Sequence, residues 1–188
     1  MSEPSFKIAF IGSHGVGKTT LCYGLAARLK ARDLSCDVVH EVARRCPLPI
    51  NQDTTVAAQA WILHTQIAEE LVAAARYPVV LCDRSALDNY VYLLLASHPP
   101  SMLEELVASW MTTYSLLVEV PILSSPSPDG VRAADPAFQR AVELRLRHEI
   151  DRRGLATLRL DPAERPAWLD AVERAALDRL MPGQLSLL

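Results

Sequence analysis

The chain has 188 residues, half of them apolar, and a formal net charge of −3 at pH 7. This length suits one domain with one large core, and the apolar content excludes an intrinsically disordered protein. The negative balance disfavours nucleic acid as a partner without excluding it, and no apolar run reaches the roughly 18 residues of a membrane span.

The cysteines and the N-terminus indicate a cytoplasmic protein. The first strand begins almost at once, which leaves no room for a signal peptide. Four cysteines form no C-x-x-C pair, so we expect buried thiols of a reduced protein rather than disulfides or a metal site. They are Cys22, Cys36, Cys46 and Cys82.

Five short apolar runs predict β-strands, and amphipathic helical patterns separate them. The runs are Phe6–Ile11, Cys36–Val39, Val79–Cys82, Leu116–Val120 and Ala156–Leu160. One helical stripe comprises Val56, Ala60, Leu63, Ile67 and Leu71. This alternation predicts an α/β fold with a parallel sheet covered by helices on both faces. Ligands of such sheets bind at the carboxyl ends of the strands.

A phosphate-binding motif follows the first predicted strand and precedes a predicted helix. The motif is Gly12-Ser13-His14-Gly15-Val16-Gly17-Lys18-Thr19, followed by Thr20. It fits G-x-x-x-x-G-K-[ST], whose glycines allow backbone N–H groups to surround a polyphosphate at a helix N-terminus. We expect Lys18 to contact the β- and γ-phosphates of ATP and Thr19 to hold Mg²⁺. Without nucleotide, Lys18 is expected to be a surface cation.

The third predicted strand ends in an acid, as Walker B strands do. Asp83 is therefore a candidate to hold Mg²⁺, and its alternative role is to cap the helix that starts near Ser85. Arg84 follows directly and is a candidate to bind an anionic substrate or the transferred phosphoryl group. Its alternative is a solvated ion pair. Asp88 and Tyr90 are weaker candidates for the same cleft.

The second predicted strand leads to Glu41, which we expect to face an acceptor pocket. A carboxylate there would accept the proton of an attacking hydroxyl; the alternative is a polar residue that pairs with Arg44 or Arg45. Arg44 is itself a candidate for substrate contact. The following helix offers further, low-grade candidates for a base or ring pocket, namely Gln59, Trp61, His64 and Gln66.

Pro121 to Pro136 is rich in proline and serine and is long for an ordinary connection. We expect it to be either a functional flap or disordered. If it is a flap, Arg132 is the residue expected to close over the γ-phosphate. Residues 1–181 then form a single domain with its lid at about 121–136, and residues 182–188 form a loose tail.

Together, these motifs resemble those of the NadR-like AAA family ATPases, whose P-loop domain is similar to nicotinamide riboside kinases. The resemblance is carried by the P-loop, Glu41-Val42-Ala43-Arg44, Asp83-Arg84-Ser85 and Asp129-Gly130-Val131-Arg132. More distantly, the chain resembles deoxynucleoside and thymidylate kinases. It lacks the aromatic residue after Glu41 that many deoxynucleoside kinases place on the base.

The resemblance implies a five-stranded parallel sheet of order 2-3-1-4-5, a lid, and transfer of the γ-phosphoryl group of ATP·Mg²⁺ to a small acceptor. It assigns Glu41 as the base or acceptor-binding acid, Arg84 as the arginine of the Asp/Glu-Arg motif and Arg132 as the lid arginine. It places the nucleobase of ATP near Asp161 to Arg165.

A small-molecule kinase is the function that we expect, with a nucleoside or nucleotide as acceptor. One alternative is a switch or assembly ATPase without a small acceptor. Another is a polynucleotide 5′-kinase, which the acidic balance disfavours. A GTPase is less favoured because the sequence contains no Asn-Lys-x-Asp motif. The sequence does not determine the oligomeric state.

Overall fold

The computed structural model describes residues 4–50, 53–123 and 135–181. Its five strands form one parallel sheet of order β2-β3-β1-β4-β5, as expected. The strands are β1 (Phe6–Ile11), β2 (Cys36–Val39), β3 (Val79–Cys82), β4 (Leu116–Glu119) and β5 (Leu158–Arg159). β4 and β5 are shorter than predicted, because the ladder between them pairs only Val118 with Leu158 and Glu119 with Arg159.

Helices cover both faces of the sheet and complete three layers. They are α1 (Lys18–Lys30), α2 (Val56–Ala74), α3 (Ala86–Ala96), α4 (Ser101–Met111), α5 (Pro136–Arg152) and α6 (Trp168–Leu180). Alternate residues of a strand point to opposite faces. Ile8 and Phe10 of β1 therefore pack with α1 and α6, whereas Ala9 and Ile11 pack with α2, α3, α4 and α5.

The predicted apolar stripe of α2 is buried only in its middle. Leu63 lies in the core and Ala60 and Ile67 pack against it, but the two ends, Val56 and Leu71, are exposed. The buried face comprises Ala58, Gln59, Ile62, Leu63, Gln66, Glu70 and Ala73. Three of these side chains are polar, so the hydrophobic pattern alone did not reveal the face. Their positions matter for the site described below.

Two predicted regions lie wholly or mainly outside the described residues. The lid falls largely in 124–134, which includes Arg132, and the tail is 182–188. Among the helices that the structure describes, none is both long and apolar enough to cross a membrane. Three cysteines are buried and Cys46 is partly buried, and all four thiols are free.

Candidate functional site

The P-loop connects β1 to α1 in a conformation that depends on glycine. Gly12 has φ +148°, and a Cβ atom there would lie 2.5 Å from the carbonyl oxygen of Val120. Gly17 has φ +100° and precedes α1, whose first turn receives no side-chain cap from the described residues. The N–H groups of that turn are thus oriented for an anion. Thr20 is exposed on the same turn.

The expectation that Lys18 is a surface cation was wrong, because its side chain folds back into the loop. Lys18 is only 5% exposed. Its Nζ donates to the carbonyl oxygens of Gly12, at 2.9 Å, and Ser13, at 2.6 Å. Burial, together with the nearby Arg84 guanidinium, lowers the pKa of Lys18 to about 7. A phosphate in the loop would supply the counter-charge that this ammonium group lacks.

Thr19, in the first turn of α1, meets Asp83, which directly follows β3. The Thr19 hydroxyl donates to Asp83 Oδ2 at 2.6 Å, and Asp83 is buried. The cap of α3 is Ser85, which forms a capping box with Asp88, so Asp83 does not serve as that cap. A hydroxyl and a carboxylate oxygen this close to a phosphate loop form a donor set that fits Mg²⁺.

These two groups alone would give Mg²⁺ an incomplete shell. Within residues 4–50, 53–123 and 135–181, no three His, Cys, Asp or Glu side chains are grouped to hold a metal ion. Mg²⁺ typically keeps several waters and takes ligands from substrate phosphates. The donor set therefore fits an ion that arrives with a nucleotide better than a resident ion.

Arg84 and Glu41 form a buried ion pair between the tips of β3 and β2. Glu41 Oε1 accepts from Arg84 Nε at 2.7 Å and lies 2.7 Å from Arg84 Nη2. Arg84 has φ +121°, a backbone conformation that costs about 1–3 kcal/mol in a non-glycine residue and is typical of functional sites. Glu41 also accepts from Arg44 Nε at 2.8 Å. Arg84 is thus held in the site rather than in solvent.

The charge state of Glu41 follows from these neighbours. Burial favours its neutral form, but the guanidinium of Arg84 and the ammonium of Lys18 outweigh burial and lower the pKa of Glu41 to about 2. The Arg84 pKa is raised well above its ordinary value; burial opposes this, and the Glu41 carboxylate outweighs burial. Both groups are therefore charged at neutral pH, and Glu41 is a hydrogen-bond acceptor.

A cleft with an empty volume of about 440 Å³, partly open to solvent, begins at the P-loop and passes the Glu41–Arg84 pair. It is lined by His14, Glu41, Ala43, Arg44, Ile50, Gln59, Ile62, Arg84, Asn89 and Tyr92. Three buried atoms of these side chains have no hydrogen-bond partner among the described residues. They are Gln59 Oε1, Arg84 Nη1 and Asn89 Nδ2. Such groups require partners, and a bound ligand would provide them.

Of the four candidates on α2 for a base or ring pocket, only Gln59 is among the residues that line the cleft. Gln59 lines the cleft, whereas Gln66 is buried beside Glu70 and donates to it at 3.0 Å. His64 is exposed and lies 2.7 Å from the carbonyl oxygen of Ala60. Trp61 is partly buried on the same helix and is not among the residues that line the cleft.

Tyr90 does not line the cleft, and Tyr92 does. The Tyr90 hydroxyl donates to Glu104. The Tyr92 hydroxyl lies 3.1 Å from His14 Nδ1, and its ring centroid is 5.3 Å from the guanidinium carbon of Arg84. Tyr92 was not predicted. It lies two residues after Tyr90 and therefore on a different face of the helix, so only one of these two tyrosines could be expected to line the cleft.

Two further elements fix the P-loop, and neither was predicted. Asp88 Oδ1 accepts from the Gly12 N–H at 3.0 Å, which ties the loop to α3. Gln139 of α5 donates through Nε2 to the backbone carbonyl of His14 at 2.8 Å. The backbone carbonyl of Gln139 accepts from Ser13 Oγ at 3.0 Å. Side chains of α3 and α5 thus hold the loop. No sequence signal marks Gln139, since its partner is 125 residues away.

A second opening lies on the other side of the loop and has an empty volume of about 330 Å³. Gly15, Val16, Gly17, Leu123 and Arg165 line it. Arg165 belongs to the segment after β5 in which the nucleobase of ATP is expected. P-loop residues therefore line both openings, His14 the first and Gly15 to Gly17 the second.

The sheet order and the P-loop define the class: this protein is a P-loop kinase or ATPase. It belongs to the AAA domain family, whose sequence profile matches residues 7–165. No curated protein sequence matches the chain significantly.

Solved structures share the fold at low sequence identity. NadR protein in complex with NR has a TM-score of 0.68 at 19% identity, over 90% of this chain and 49% of that chain. NadR protein in complex with NAD and AMP-PNP has a TM-score of 0.64 at 17% identity, over 92% of this chain and 49% of that chain. This chain therefore spans about half the length of NadR.

Deoxyadenosine kinase from M. mycoides, with the products dCMP and dCDP bound, gives a TM-score of 0.61 at 12% identity. The alignment covers 90% of this chain and 98% of that chain. At such identities the likeness establishes the fold, and the residues of the site must carry any statement about the reaction.

Proposed function

We propose that this protein is a small-molecule kinase that moves the γ-phosphoryl group of ATP to a hydroxyl or phosphate oxygen of a nucleoside-like or nucleotide-like acceptor. The observation that carries the proposal is the cleft, which begins at His14 of the P-loop and has Arg84 and Glu41 in its wall.

Each charged group then has a distinct task. Lys18 contacts the β- and γ-phosphates, and Thr19 and Asp83 hold Mg²⁺, which neutralises phosphate charge. Arg84 contacts the phosphoryl group in transfer, since its Nη1 still lacks a partner among the described residues. Glu41 accepts a hydrogen bond from the acceptor hydroxyl and aligns it for attack. Catalysis is then largely positioning and charge stabilisation.

The low pKa of Glu41 limits how it assists the acceptor. A carboxylate with a pKa of about 2 is a weak base for an alcohol in the ground state. Glu41 therefore orients the hydroxyl first. It takes the proton late, when the forming bond to phosphorus has made the hydroxyl more acidic. This timing suits the loose transition states of phosphoryl transfer.

The polar lining supports an acceptor with both hydrogen-bond donors and acceptors. Gln59 Oε1 requires a donor, and Asn89 Nδ2 requires an acceptor. NadR binds NR, and the deoxyadenosine kinase is bound to dCMP and dCDP, so ring-bearing ribosyl or deoxyribosyl compounds are the first to test. A partly enclosed cleft favours them over a polynucleotide end.

The test is transfer of label from γ-labelled ATP·Mg²⁺ to a panel of nucleosides and nucleotides, with release of inorganic phosphate measured in parallel. A kinase transfers label to at least one acceptor, and Glu41→Gln lowers transfer about a hundredfold while hydrolysis changes much less. Phosphate release that no panel member alters would support the switch ATPase instead. Label on an oligonucleotide 5′ end alone would support the polynucleotide kinase.

A further inference from the structure

Glu70 of α2 is a fully buried carboxylate that does not line the cleft. Its two oxygens accept four hydrogen bonds. Oε1 accepts from Tyr114 OH at 2.7 Å and Gln66 Nε2 at 3.0 Å, and Oε2 accepts from Trp110 Nε1 at 2.8 Å and Lys7 Nζ at 3.1 Å. We call these five residues the Glu70 network.

Stability alone is a weak reason for this network. A buried ion pair such as Glu70–Lys7 contributes little more than well-packed apolar side chains would, because desolvation offsets the attraction. The ammonium group of this pair also packs over two aromatic rings. Lys7 Nζ lies 4.2 Å from the ring centroid of Trp110 and 4.9 Å from that of Tyr114. Burial and the Glu70 carboxylate raise the pKa of Tyr114 well above its ordinary value, so its hydroxyl stays a donor.

Two members of the network reach the turn that contains Arg84. The Tyr114 hydroxyl accepts from the Ala86 N–H at 3.1 Å, and Gln66 Nε2 lies 3.4 Å from the carbonyl oxygen of Arg84. The two peptide groups on either side of Ser85 are therefore both held by side chains that Glu70 orients. The N–H of Ser85 in this turn donates to Asp88 Oδ2 at 2.9 Å.

The turn needs such support because Arg84 has φ +121°. A non-glycine residue keeps that conformation only where the surroundings over-determine it. A relaxed turn would redirect the Arg84 side chain, which now meets Glu41 in the wall of the cleft. None of the five residues of the Glu70 network lines the cleft.

We propose that Glu70 is a positioning residue: through Tyr114 and Gln66 it holds the Arg84–Ala86 turn in the conformation that places the Arg84 guanidinium against Glu41 in the cleft. The proposal rests on the proposed function for its effect on turnover, but its structural part is independent of it. Glu70 and Lys7 act on the reaction through this turn.

The chain offers a matched pair of variants. Tyr114→Phe removes one hydrogen bond to Glu70 and also the hydroxyl that accepts from Ala86. Trp110→Phe removes one hydrogen bond to the same carboxylate, on Oε2, without touching the turn. Both are milder than a change of Glu70 itself, and urea unfolding verifies that each variant is folded. Two readouts are measured: hydrogen exchange of the Arg84 Nε–H by NMR, and steady-state ATP·Mg²⁺ turnover.

In Tyr114→Phe, we expect Arg84 Nε–H exchange to be about tenfold faster and the turnover number about tenfold lower, with the KM for ATP within about twofold. In Trp110→Phe both readouts stay within about twofold of the parent protein, although the variant is less stable. In an Arg84→Ala background, Tyr114→Phe lowers turnover no further, since the effect acts through Arg84.

Equal acceleration of Arg84 exchange in both variants, or none in either, would overturn the proposal. So would a full effect of Tyr114→Phe on turnover in the Arg84→Ala background. If the parent protein shows no turnover at all, the proposed function fails. The contrast in Arg84 exchange between the two variants then still decides whether the Glu70 network, through Tyr114, holds the turn.

Discussion

Glu41 illustrates how one residue's charge depends on residues distant in the sequence. Its partner Arg84 is 43 positions away, yet β2 and β3 are neighbours in the sheet and bring the two strand tips together. Because the folded protein holds the Glu41 pKa at about 2, against an ordinary 4.5, the pair links stability to pH.

The first prediction concerns this link. A carboxyl group whose pKa is lowered by folding adds stability that is present above its unfolded pKa and is lost as pH falls through its folded pKa. Between about pH 4.5 and about pH 2, the free energy of unfolding should therefore lose a Glu41 contribution of roughly 1–3 kcal/mol. Urea unfolding of Glu41→Gln should lack this part of the pH dependence.

Glu105→Gln is the control, because Glu105 is exposed on α4. The free energy of unfolding of Glu105→Gln should depend on pH in the same way as that of the parent protein. Identical profiles for the parent protein and Glu41→Gln would show that the ion pair with Arg84 does not lower the pKa of this carboxyl group.

Lys18→Met gives the second prediction. Burial penalises the Lys18 ammonium in the free protein, so the substitution should leave the free energy of unfolding unchanged or raise it. ATP turnover should fall at least about a hundredfold, because the transferred group loses a positioned cation. The matched control is Lys30→Met at the exposed end of α1, which should retain turnover. Retained turnover in Lys18→Met would contradict the P-loop assignment.

Asp83→Asn gives the third prediction. The amide keeps the size of the carboxylate and can still accept from Thr19, but it loses the charge that attracts Mg²⁺. The Mg²⁺ concentration for half-maximal ATP turnover should rise about tenfold or more, measured at saturating ATP. Asp37→Asn on β2, whose carboxylate accepts from its neighbour's N–H, should leave it unchanged. A lower melting temperature with unaltered Mg²⁺ dependence would mean that Asp83 has a structural role only.

At the scale of elements, the strands and the P-loop were predictable from the sequence because their signals are local. Continuous apolar runs and a spaced glycine motif can be recognised without knowing the partners. The bounds of β1, β2 and β3 agree with the prediction, and β4 is one residue shorter. β5 was predicted three residues too long, because its length is set by pairing at the sheet edge, which the sequence does not contain.

α2 shows why other parts of the site were not predictable. Its buried face carries Gln59, Gln66 and Glu70, so a search for apolar spacing found only part of that face, Leu63 being the shared residue. Gln66 and Glu70 are hydrogen-bonded to each other within the Glu70 network, and Gln59 donates to Thr54 Oγ1 at 2.8 Å. The burial of Lys18 was missed for a similar reason, since its two carbonyl partners depend on the conformation of the loop.

The fourth prediction tests how closely the P-loop packs on β4. An added Cβ at Gly12 meets the Val120 carbonyl oxygen at 2.5 Å, and φ is +148°. Gly12→Ala should therefore lower the free energy of unfolding by about 3 kcal/mol or more. Gly154→Ala is the matched control, with φ +60° and open space around its Cβ, and should cost about 1 kcal/mol. Equal losses would show that the loop has room to shift away from β4.

At the scale of the whole molecule, the site gathers side chains from the carboxyl ends of three adjacent strands. β1 leads to the P-loop, β2 to Glu41, and β3 to Asp83 and Arg84, and the order β2-β3-β1 makes these ends neighbours. This explains how motifs that are far apart along the chain come together at one edge of the sheet. Gln59 on α2 and Asn89 and Tyr92 on α3 also line the cleft. Their positions depend on how these helices pack, which the sequence does not show.

In the proposed mechanism, the cleft faces the γ-phosphate of a bound nucleotide. The most direct measurement is a crystal structure with AMP-PNP and Mg²⁺. It should show the γ-phosphate between Lys18 Nζ and Arg84 Nη1, Mg²⁺ bound near Thr19 and Asp83, and the cleft open toward the γ-phosphorus. A γ-phosphate directed away from the cleft, with Arg84 still paired only to Glu41, would contradict the account.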